Sequence, residues 1–270
     1  MMKNYIFIPV ISLFLNLILS TEVFAYKYGL GSCLDQRLKQ DIWSSIKKEN
    51  IDGFIFLGDN VYGDTPSGKL SKMESAYKIQ QTKLPEWLMS EKEILTIWDD
   101  HDFGINDGGG DYPFKKEAQK LFLEFWKIPG LDPRSSREGI YFKQTKQIED
   151  LEVEIIGLDT RYFRSPLKGK KNPYAQNMDP EATILGTDQW MWLETSIYNS
   201  TADVIVILSS IQILATNHPY EKWDNFPLER ERLLRLIANV SKNTTIIAVS
   251  GDRHRSGIYQ NDHFVEITAS

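Results

Sequence analysis

The chain has 270 residues, of which 41% are hydrophobic, and it carries a formal net charge of −6 at pH 7. This length can bury one large core, and no linker rich in Pro, Ser or Gly divides it, so one main domain is expected. The acidic balance argues against a dedicated nucleic-acid-binding protein, which would carry a basic stripe.

Residues 1–25 have the pattern of a cleaved signal peptide, which predicts a secreted or periplasmic protein. Lys3 supplies a positive charge, residues 5–19 are mostly apolar, and small residues precede the expected cleavage after Ala25. A membrane anchor is the alternative, but this apolar stretch is shorter than the roughly 20 residues that a span needs. No permanent anchor is therefore expected, and the mature domain is predicted to cover residues 26–270. Its abrupt end after the last predicted strand suggests a domain that is short at its C-terminus.

Strands and helices alternate along this domain, which is typical of an α/β fold with largely parallel strands. Short apolar runs rich in Ile and Val predict buried strands. These runs lie at residues 26–30, 54–57, 94–97, 140–143, 153–156, 204–208, 245–249 and 264–268. Helical periodicity is found at residues 35–49, 114–127, 187–197 and 227–240. Asp35 and Thr187 are the expected N-caps of their helices, and Pro227 is the expected first residue of the last helix.

Polar side chains follow five of the apolar runs, at the point where each predicted strand ends. The segments are Gly58-Asp-Asn60, Trp98-Asp-Asp-His-Asp102, Gly157-Leu-Asp-Thr-Arg161, Ser209-Ser-Ile-Gln212 and Ser250-Gly-Asp-Arg-His254. In open α/β sheets, ligands bind beyond the carboxyl ends of the strands. Carboxylates that converge there repel each other unless a cation neutralises them, and carboxylate, amide and imidazole groups all bind metals. The set therefore predicts a metal site, although any one Asp alone is more often a cap or turn residue.

Four further residues and one segment have readings that the sequence leaves open. Cys33 is the only cysteine, so it is a buried apolar side chain, an intermolecular thiol or a metal ligand. His101, flanked by carboxylates, suits a general acid or a structural hydrogen bond to a neighbouring Asp. His218 is ambiguous as a residue that lines the site, and His263 is expected at the surface. The segment 209–212 has no assigned role.

Eight segments, taken together, carry a resemblance to a known family. They are Gly31-Ser-Cys33, Phe56 to Tyr62, Trp98 to Asn106, Leu158 to Arg161, Leu185 to Leu193, Ser209 to Gln212, Trp223 to Arg230 and Ser250 to His254. In this order they resemble the alkaline phosphatase D family, the PhoD-like branch of the calcineurin-like metallophosphoesterases. Gly-Ser-Cys replaces the Asp-x-His pair that follows the first strand in the wider superfamily, which fits the PhoD branch.

The resemblance implies a four-layer α/β/β/α metallophosphoesterase sandwich with a multimetal centre at one end of its sheets. It implies Fe³⁺ assisted by Ca²⁺, with other divalent metals as alternatives. By resemblance, the metal ligands are Cys33, Asp59, Tyr62, Asn106, Asp252 and His254. Asp59 is the expected bridge between metals, and Asp100 and His101 take the place of the superfamily's Asn-His pair, whose His acts near the leaving group.

The expected activity is hydrolysis of a small phosphoester, monoester or diester, by metal-activated water. Arg161 is expected to clamp the phosphoryl oxygens, the alternative being an ion pair with Asp159. A rival enzyme is a phosphodiesterase or phospholipase-type protein that acts on lipid or nucleotide diesters. A rival from another class is a non-catalytic exported metal-binding protein with the same fold.

Overall fold

The structure, a computed structural model, describes residues 26–240 and 242–270, so the predicted signal peptide lies outside the described residues. The helices are α1 Ile42–Lys48, α2 Ser71–Lys83, α3 Glu86–Glu91, α4 Asp100–Phe103, α5 Lys115–Phe125, α6 Gly186–Tyr198 and α7 Pro227–Val240. The strands are β1 Tyr28–Gly31, β2 Gly53–Leu57, β3 Glu93–Ile97, β4 Phe142–Ile148, β5 Leu151–Gly157, β6 Lys168–Gly169, β7 Tyr174–Ala175, β8 Val204–Ser209, β9 Thr245–Ser250, β10 Gly257–Gln260 and β11 Val265–Thr268. Two short 3₁₀ turns lie at Pro133–Ser135 and Trp223–Asn225.

The strands form two main sheets and one small hairpin. The smaller sheet has the order β1-β2-β3 and is wholly parallel. The larger sheet has the order β10-β11-β9-β8-β5-β4, with parallel pairing from β11 to β5 and an antiparallel strand at each edge. Strands β6 and β7 pair with each other alone. All eight predicted strands are present, and the largely parallel pairing is confirmed. Helices connect most of these parallel pairs, since parallel strands need a long crossover, whereas β9 and β11 are connected through β10.

The larger sheet separates two hydrophobic cores. Val153 and Ile155 of β5 belong to the core that includes Phe54 of the smaller sheet. Ile156, the next residue along β5, belongs to the core that includes Leu193 of α6. This alternation follows from the two-residue period of a strand, whose successive side chains point to opposite faces. The α/β fold class is thereby confirmed, while the four-layer order stays a prediction.

The first predicted helix, over residues 35–49, is shorter than expected. It begins at Ile42, and the side chains of Leu38 and Ile42 are 62% and 55% exposed rather than part of a buried stripe. Asp35 does not cap it, because its carboxylate accepts hydrogen bonds from the backbone and the guanidinium of Arg37. The expected N-cap was therefore wrong, since Asp35 closes a local turn instead.

The last two helices are joined at their N-terminal ends. Helix α6 begins at Gly186, one residue before the expected cap Thr187, and the buried carboxylate of Glu229 in α7 accepts from the backbone N–H of Ile184 at 2.9 Å. The first backbone N–H of α6, that of Gly186, donates to the Thr183 hydroxyl at 2.8 Å, so Thr183 takes the place of the predicted cap. Helix α7 begins at Pro227, as predicted. Within the described ranges, no helix has both the length and the apolar character needed to cross a membrane.

Candidate metal centre

An open cavity of about 430 Å³ lies where the loops after β2, β3, β8 and β9 meet the β6–β7 hairpin. It is lined by Asp59, Asp100, His101, Asn106, Asp107, Lys171, Tyr174, Tyr220, Glu221 and residues 252–255. The loops come from both sheets, so the cavity lies at the shared carboxyl edge. Side chains from three of the five predicted strand ends line it directly, and a fourth end, at 209–212, lies behind one of them.

Three sets of potential metal ligands share Asp59. The sets are Cys33 with Asp59 and His254, Asp59 with Asp100 and His101, and Asp59 with Asp99 and Asp252. Within each set, one ligand atom per residue lies within 4.8 Å of the others. A carboxylate has two oxygens, so a residue common to several sets is in the position that bridging two cations requires.

Four of these residues have a left-handed backbone conformation. The φ angles are 57° for Cys33, 51° for Asp59, 63° for Asp252 and 51° for His254. Non-glycine residues adopt positive φ in only a few per cent of cases, and such positions cluster where function requires a particular side-chain direction. The backbone is therefore shaped to turn these four side chains toward one point.

Gly58 lets two of the loops approach each other. Its φ is +100°, and a Cβ at this position would lie 2.5 Å from Cβ of Asp99. Any side chain would therefore push the loop after β2 away from the loop after β3. Glycine at this position keeps Asp59 close to the acidic residues of the neighbouring loop.

The carboxylates of the cavity are buried close to one another. Burial raises the pKa of Asp59 well above its usual range, and the charges of Asp100 and Asp99 raise it further. Burial and the same two charges raise the pKa of Asp252 as well. Carboxylates buried this close together ionise jointly only where cations neutralise them; Arg161, 2.6 Å from Asp99, supplies one positive charge, and bound metal ions would supply more.

The donor groups of the cavity fit bound metal ions. Oδ2 of Asp99 and Oδ1 of Asp100 are buried and accept no hydrogen bond from the described residues. Buried polar atoms of this kind cost free energy unless a partner, such as an ion, is supplied. Thiolate and phenolate donors suit Fe³⁺, thiolate also suits zinc, and carboxylate and amide oxygens suit Ca²⁺.

Tyr62 lies beside the imidazole of His254 and below the ring of His101. Its hydroxyl is 3.2 Å from Nε2 of His254, and its ring centroid is 4.2 Å from that of His101. Burial raises the pKa of the Tyr62 phenol, and the charges of Asp59 and Cys33 raise it further. The structure therefore brings together Cys33, Asp59, Tyr62 and His254, whose ligand roles remain a proposal.

Asp64 is a site residue that the sequence did not indicate. Both of its carboxylate oxygens lie 2.7–2.8 Å from Nδ1 of His101. The backbone N–H of His101 donates to Asp59 at 3.2 Å, so the residue is fixed at both ends. Nothing in the spacing of Asp64 distinguishes it from an ordinary loop carboxylate, because the contact depends on how two loops fold together.

Arg161 lies behind the cavity rather than in it. Its side chain is fully buried, with Nε 2.6 Å from Oδ1 of Asp99 and an Nη atom 2.6 Å from Oε2 of Glu221. This geometry does not favour the expected phosphate clamp, since both ends of the guanidinium are engaged by protein carboxylates. The ion pair with Asp159 is not formed either, because Asp159 accepts from the Trp98 indole at 2.9 Å and from backbone N–H groups, including that of Arg161.

The segment 209–212 contacts the loops that carry the acidic residues of the cavity. The Ser210 hydroxyl contacts both the Thr160 hydroxyl and Oδ1 of Asp99, and its carbonyl accepts from Gly251 N at 3.1 Å. These contacts tie the strand end that had no assigned role to two of the acidic loops. Ser210 therefore holds Asp99 in place without reaching the cavity.

The remaining predicted residues divide between the cavity and its surroundings. Asn106 lines the cavity and donates its amide to the Asp107 carboxylate. Asp107 is also held by Lys171 at 2.6 Å. His218 does not line the cavity, and His263 is exposed, as expected.

Comparison with known proteins agrees with this architecture. Residues 113–268 match the family model described as PhoD-like phosphatase. The chain is 30% identical to alkaline phosphatase D of Bacillus subtilis (strain 168) over 277 residues. The alignment covers 85% of this chain and 46% of that relative. The chain thus spans just under half the length of that protein.

Two solved structures share the fold. The structure of PhoD has a TM-score of 0.67 at 20% identity, covering 90% of this chain and 56% of that one. GAP50, the anchor in the inner membrane complex of Plasmodium, has a TM-score of 0.58 at 14% identity, and the match covers 91% of this chain and 71% of that one. These two likenesses show the fold alone, whereas the family match spans more than half of the sequence. The chain belongs to the PhoD-like phosphatase family.

Proposed function

We propose that the protein is an exported, metal-dependent phosphoester hydrolase that acts on a small phosphomonoester or diester with metal-activated water. The observation that carries the proposal is the sharing of Asp59 by three ligand sets in one open cavity. Family membership supports the reaction class. The signal-peptide pattern of residues 1–25 supports export to the periplasm or medium, which N-terminal sequencing of the mature protein would test.

The chain's own donors would hold the metals. Cys33, Asp59 and Tyr62 would hold Fe³⁺, with Asp59 shared with a second site. Asn106, Asp252 and His254 are the further candidate ligands, with Ca²⁺ or another divalent ion as the second metal. When bound, such metals polarise a phosphoryl group and activate water for attack.

His101 is the candidate proton donor to the leaving oxygen. Asp64 occupies Nδ1, which leaves Nε2 as the ring nitrogen free to serve the cavity. The hydrogen bond and charge of Asp64, with the charge of Asp100, outweigh the effect of burial and raise the pKa of His101, so the protonated form is favoured. Asp100 contributes through its charge and through its hydrogen bond to the backbone of Asp107 at 2.6 Å.

Two substitutions and a chelator test the proposal. The purified protein should hydrolyse 4-nitrophenyl phosphate or its bis-ester and lose this activity when the metal is removed. Asp59→Ala and Asp252→Ala should each lower kcat by about 100-fold or more and lower the bound metal, because each removes a charged ligand. Asp262→Ala, at an exposed turn, is the matched control and should change neither.

Four results would contradict or redirect the proposal. Full activity of either cavity variant in metal-free form would end it. Stoichiometric metal without hydrolysis across a phosphoester panel would favour the non-catalytic rival, and a strong preference for the bis-ester would favour the diesterase. If iron is bound without a visible phenolate absorption band, the role of Tyr62 fails.

A further inference from the structure

Three cationic side chains beside the cavity have no acidic partner. Arg253 and Arg255 line the cavity, and within the described residues neither lies within 4.0 Å of a carboxylate. Lys222 is only 5% exposed, and its Nζ donates to the carbonyl oxygens of His218 and Tyr220 at 2.8 and 3.2 Å rather than to an acid. Arg255 is exposed, whereas Lys222 and the Nε atom of Arg253 are buried, and buried cationic groups are normally paired, so this grouping is suited to receive an anion.

Arg253 is held in place but retains unused donors. Its guanidinium carbon lies 4.2 Å from the ring centroid of Tyr220, a stacking contact that positions the group without neutralising it. Its Nε is buried and has no hydrogen-bond partner in the described part of the chain. An arginine fixed over an aromatic face with free N–H groups is ready to receive a carboxylate or phosphate.

His218 shows how positive this neighbourhood is. Both ring nitrogens are buried and have no hydrogen-bond partner among the described residues. Burial, together with the charges of Arg253, Lys222 and Arg255, lowers the pKa of His218 to about 4. A neutral His218 adds no charge, so the excess of positive charge belongs to the three cations alone.

This local excess of positive charge is opposite in sign to the net charge of the whole chain. The chain carries a net charge of −6, and the cavity floor is acidic, so an anionic substrate would be repelled from it without local compensation. Metals would neutralise the acidic residues at the cavity floor, but they would not supply a partner for the unpaired cations at the rim. By contrast, Lys171 in the same cavity is paired with Asp107 at 2.6 Å.

We infer that Arg253 and Arg255 bind a second anionic group, a carboxylate or a phosphate, carried by the leaving group of a phosphomonoester substrate. The inference rests on the proposed function, and it narrows the substrate class to monoesters with two anionic groups. On this proposal the metals engage the transferred phosphoryl group, so the group that the two arginines bind is a second anion on the leaving portion of the molecule.

The test compares two substrates that differ in one group. 3-Phosphoglycerate and glycerol 3-phosphate share a similar alkoxide leaving group, but only the former carries a carboxylate. The metal-loaded protein should favour 3-phosphoglycerate by about five- to tenfold in kcat/KM, mainly through KM. The double variant Arg253→Gln/Arg255→Gln should bring this ratio close to one, because both substrates lose the general attraction of the two cations for the phosphoryl group and only 3-phosphoglycerate also loses the contact to its carboxylate.

A matched control and a binding measurement separate the possible failures. Arg235→Gln removes one positive charge from an exposed site on α7 and should leave the ratio unchanged. An unchanged ratio in the double variant, or equal kcat/KM values in the parent protein, would overturn the inference. If no phosphoester is hydrolysed, the proposed function fails, and calorimetric titration of the same proteins with both compounds still decides whether the arginine pair selects the second anion.

Discussion

His101 can serve as an acid only if one ring nitrogen is left free, and Asp64 determines which one it is. The carboxylate accepts from Nδ1, while the backbone N–H of His101 is fixed by Asp59. A carboxylate that orients an imidazole typically contributes through geometry and basicity rather than by contact with substrate. Asp64 is therefore a positioning residue at the scale of a single side chain.

Asp64→Asn should lower kcat by about 10- to 100-fold while changing KM little, because binding of the phosphoryl group does not involve it. In a His101→Ala background, the same substitution should have no further effect, since its role is exercised through that ring. Steady-state kinetics of the single and double variants measure both effects. Asp150→Asn, in the exposed turn before β5, is the control, and an additive loss in the double variant would refute the role.

At the scale of elements, α6 and α7 are joined by one buried carboxylate. Oε2 of Glu229 accepts from the Trp190 indole at 2.6 Å, the Thr183 hydroxyl at 3.0 Å and the Ile184 backbone at 2.9 Å. The Thr183 hydroxyl in turn accepts from the backbone N–H of Gly186, the first residue of α6, at 2.8 Å, so Glu229 holds the residue that caps this helix. Both helices pack on the larger sheet, so the contact fixes that side of the molecule.

Glu229→Gln should lower the free energy of unfolding by about 1–3 kcal/mol. The neutral amide cannot make charge-assisted hydrogen bonds, and its NH₂ group would face the N–H and O–H groups that now donate to the carboxylate. Denaturant unfolding monitored by tryptophan fluorescence gives the value. Glu231→Gln, on an exposed part of the same helix, breaks only a surface pair with Arg235 and should change stability by less than about 0.5 kcal/mol. Equal effects of the two substitutions would contradict the capping role.

At the scale of the whole molecule, Glu93 links the two sheets. It lies at the start of β3 and accepts from Lys146 at 2.7 Å and Gln144 at 2.6 Å, both in β4 of the larger sheet. Tyr26 and Tyr28 donate to the same carboxylate from the edge of the smaller sheet. Burial raises the pKa of Glu93, but the hydrogen bonds from Lys146 and the tyrosines outweigh it, so the pKa lies below its ordinary value of 4.5.

The stabilising effect of Glu93 should therefore depend on pH. Because the pKa is lower in the folded state, the ionised carboxylate stabilises the fold above about pH 4.5, and this contribution is lost as pH falls through the folded-state pKa. The difference in Tm between the parent protein and Glu93→Gln should be largest near neutral pH and shrink below pH 4.5. Glu91→Gln, at an exposed neighbouring position, should show no such trend, and a pH-independent difference for Glu93→Gln would contradict the linkage.

Much of the fold could be predicted because strand signals are local. Runs such as Thr245 to Val249 are apolar over the length of a strand, and Pro227 marks a helix start through its own ring. Helix α2 was not predicted, because its buried positions, such as Met73 and Tyr77, are separated by mostly polar residues. The cap at Asp35 was wrong because its carboxylate closes a local turn with Arg37, and the cap at Thr187 was wrong because α6 begins one residue earlier, where the Thr183 hydroxyl accepts from the backbone of Gly186.

The sequence by itself determined the fold class, the strand ends that supply acid, amide and imidazole, and the family, because these follow from periodicity and short motifs. Only the tertiary structure decided that Asp64 holds His101 and that Arg161 faces Asp99 and Glu221. It also decided that Nε of Arg253 is buried with no hydrogen-bond partner among the residues the structure describes. Arg161 and Glu221 are 60 residues apart, and nothing in the chain between them indicates their contact. Charged groups of one kind look alike in sequence, and pairing depends on which of them the fold brings within about 4 Å.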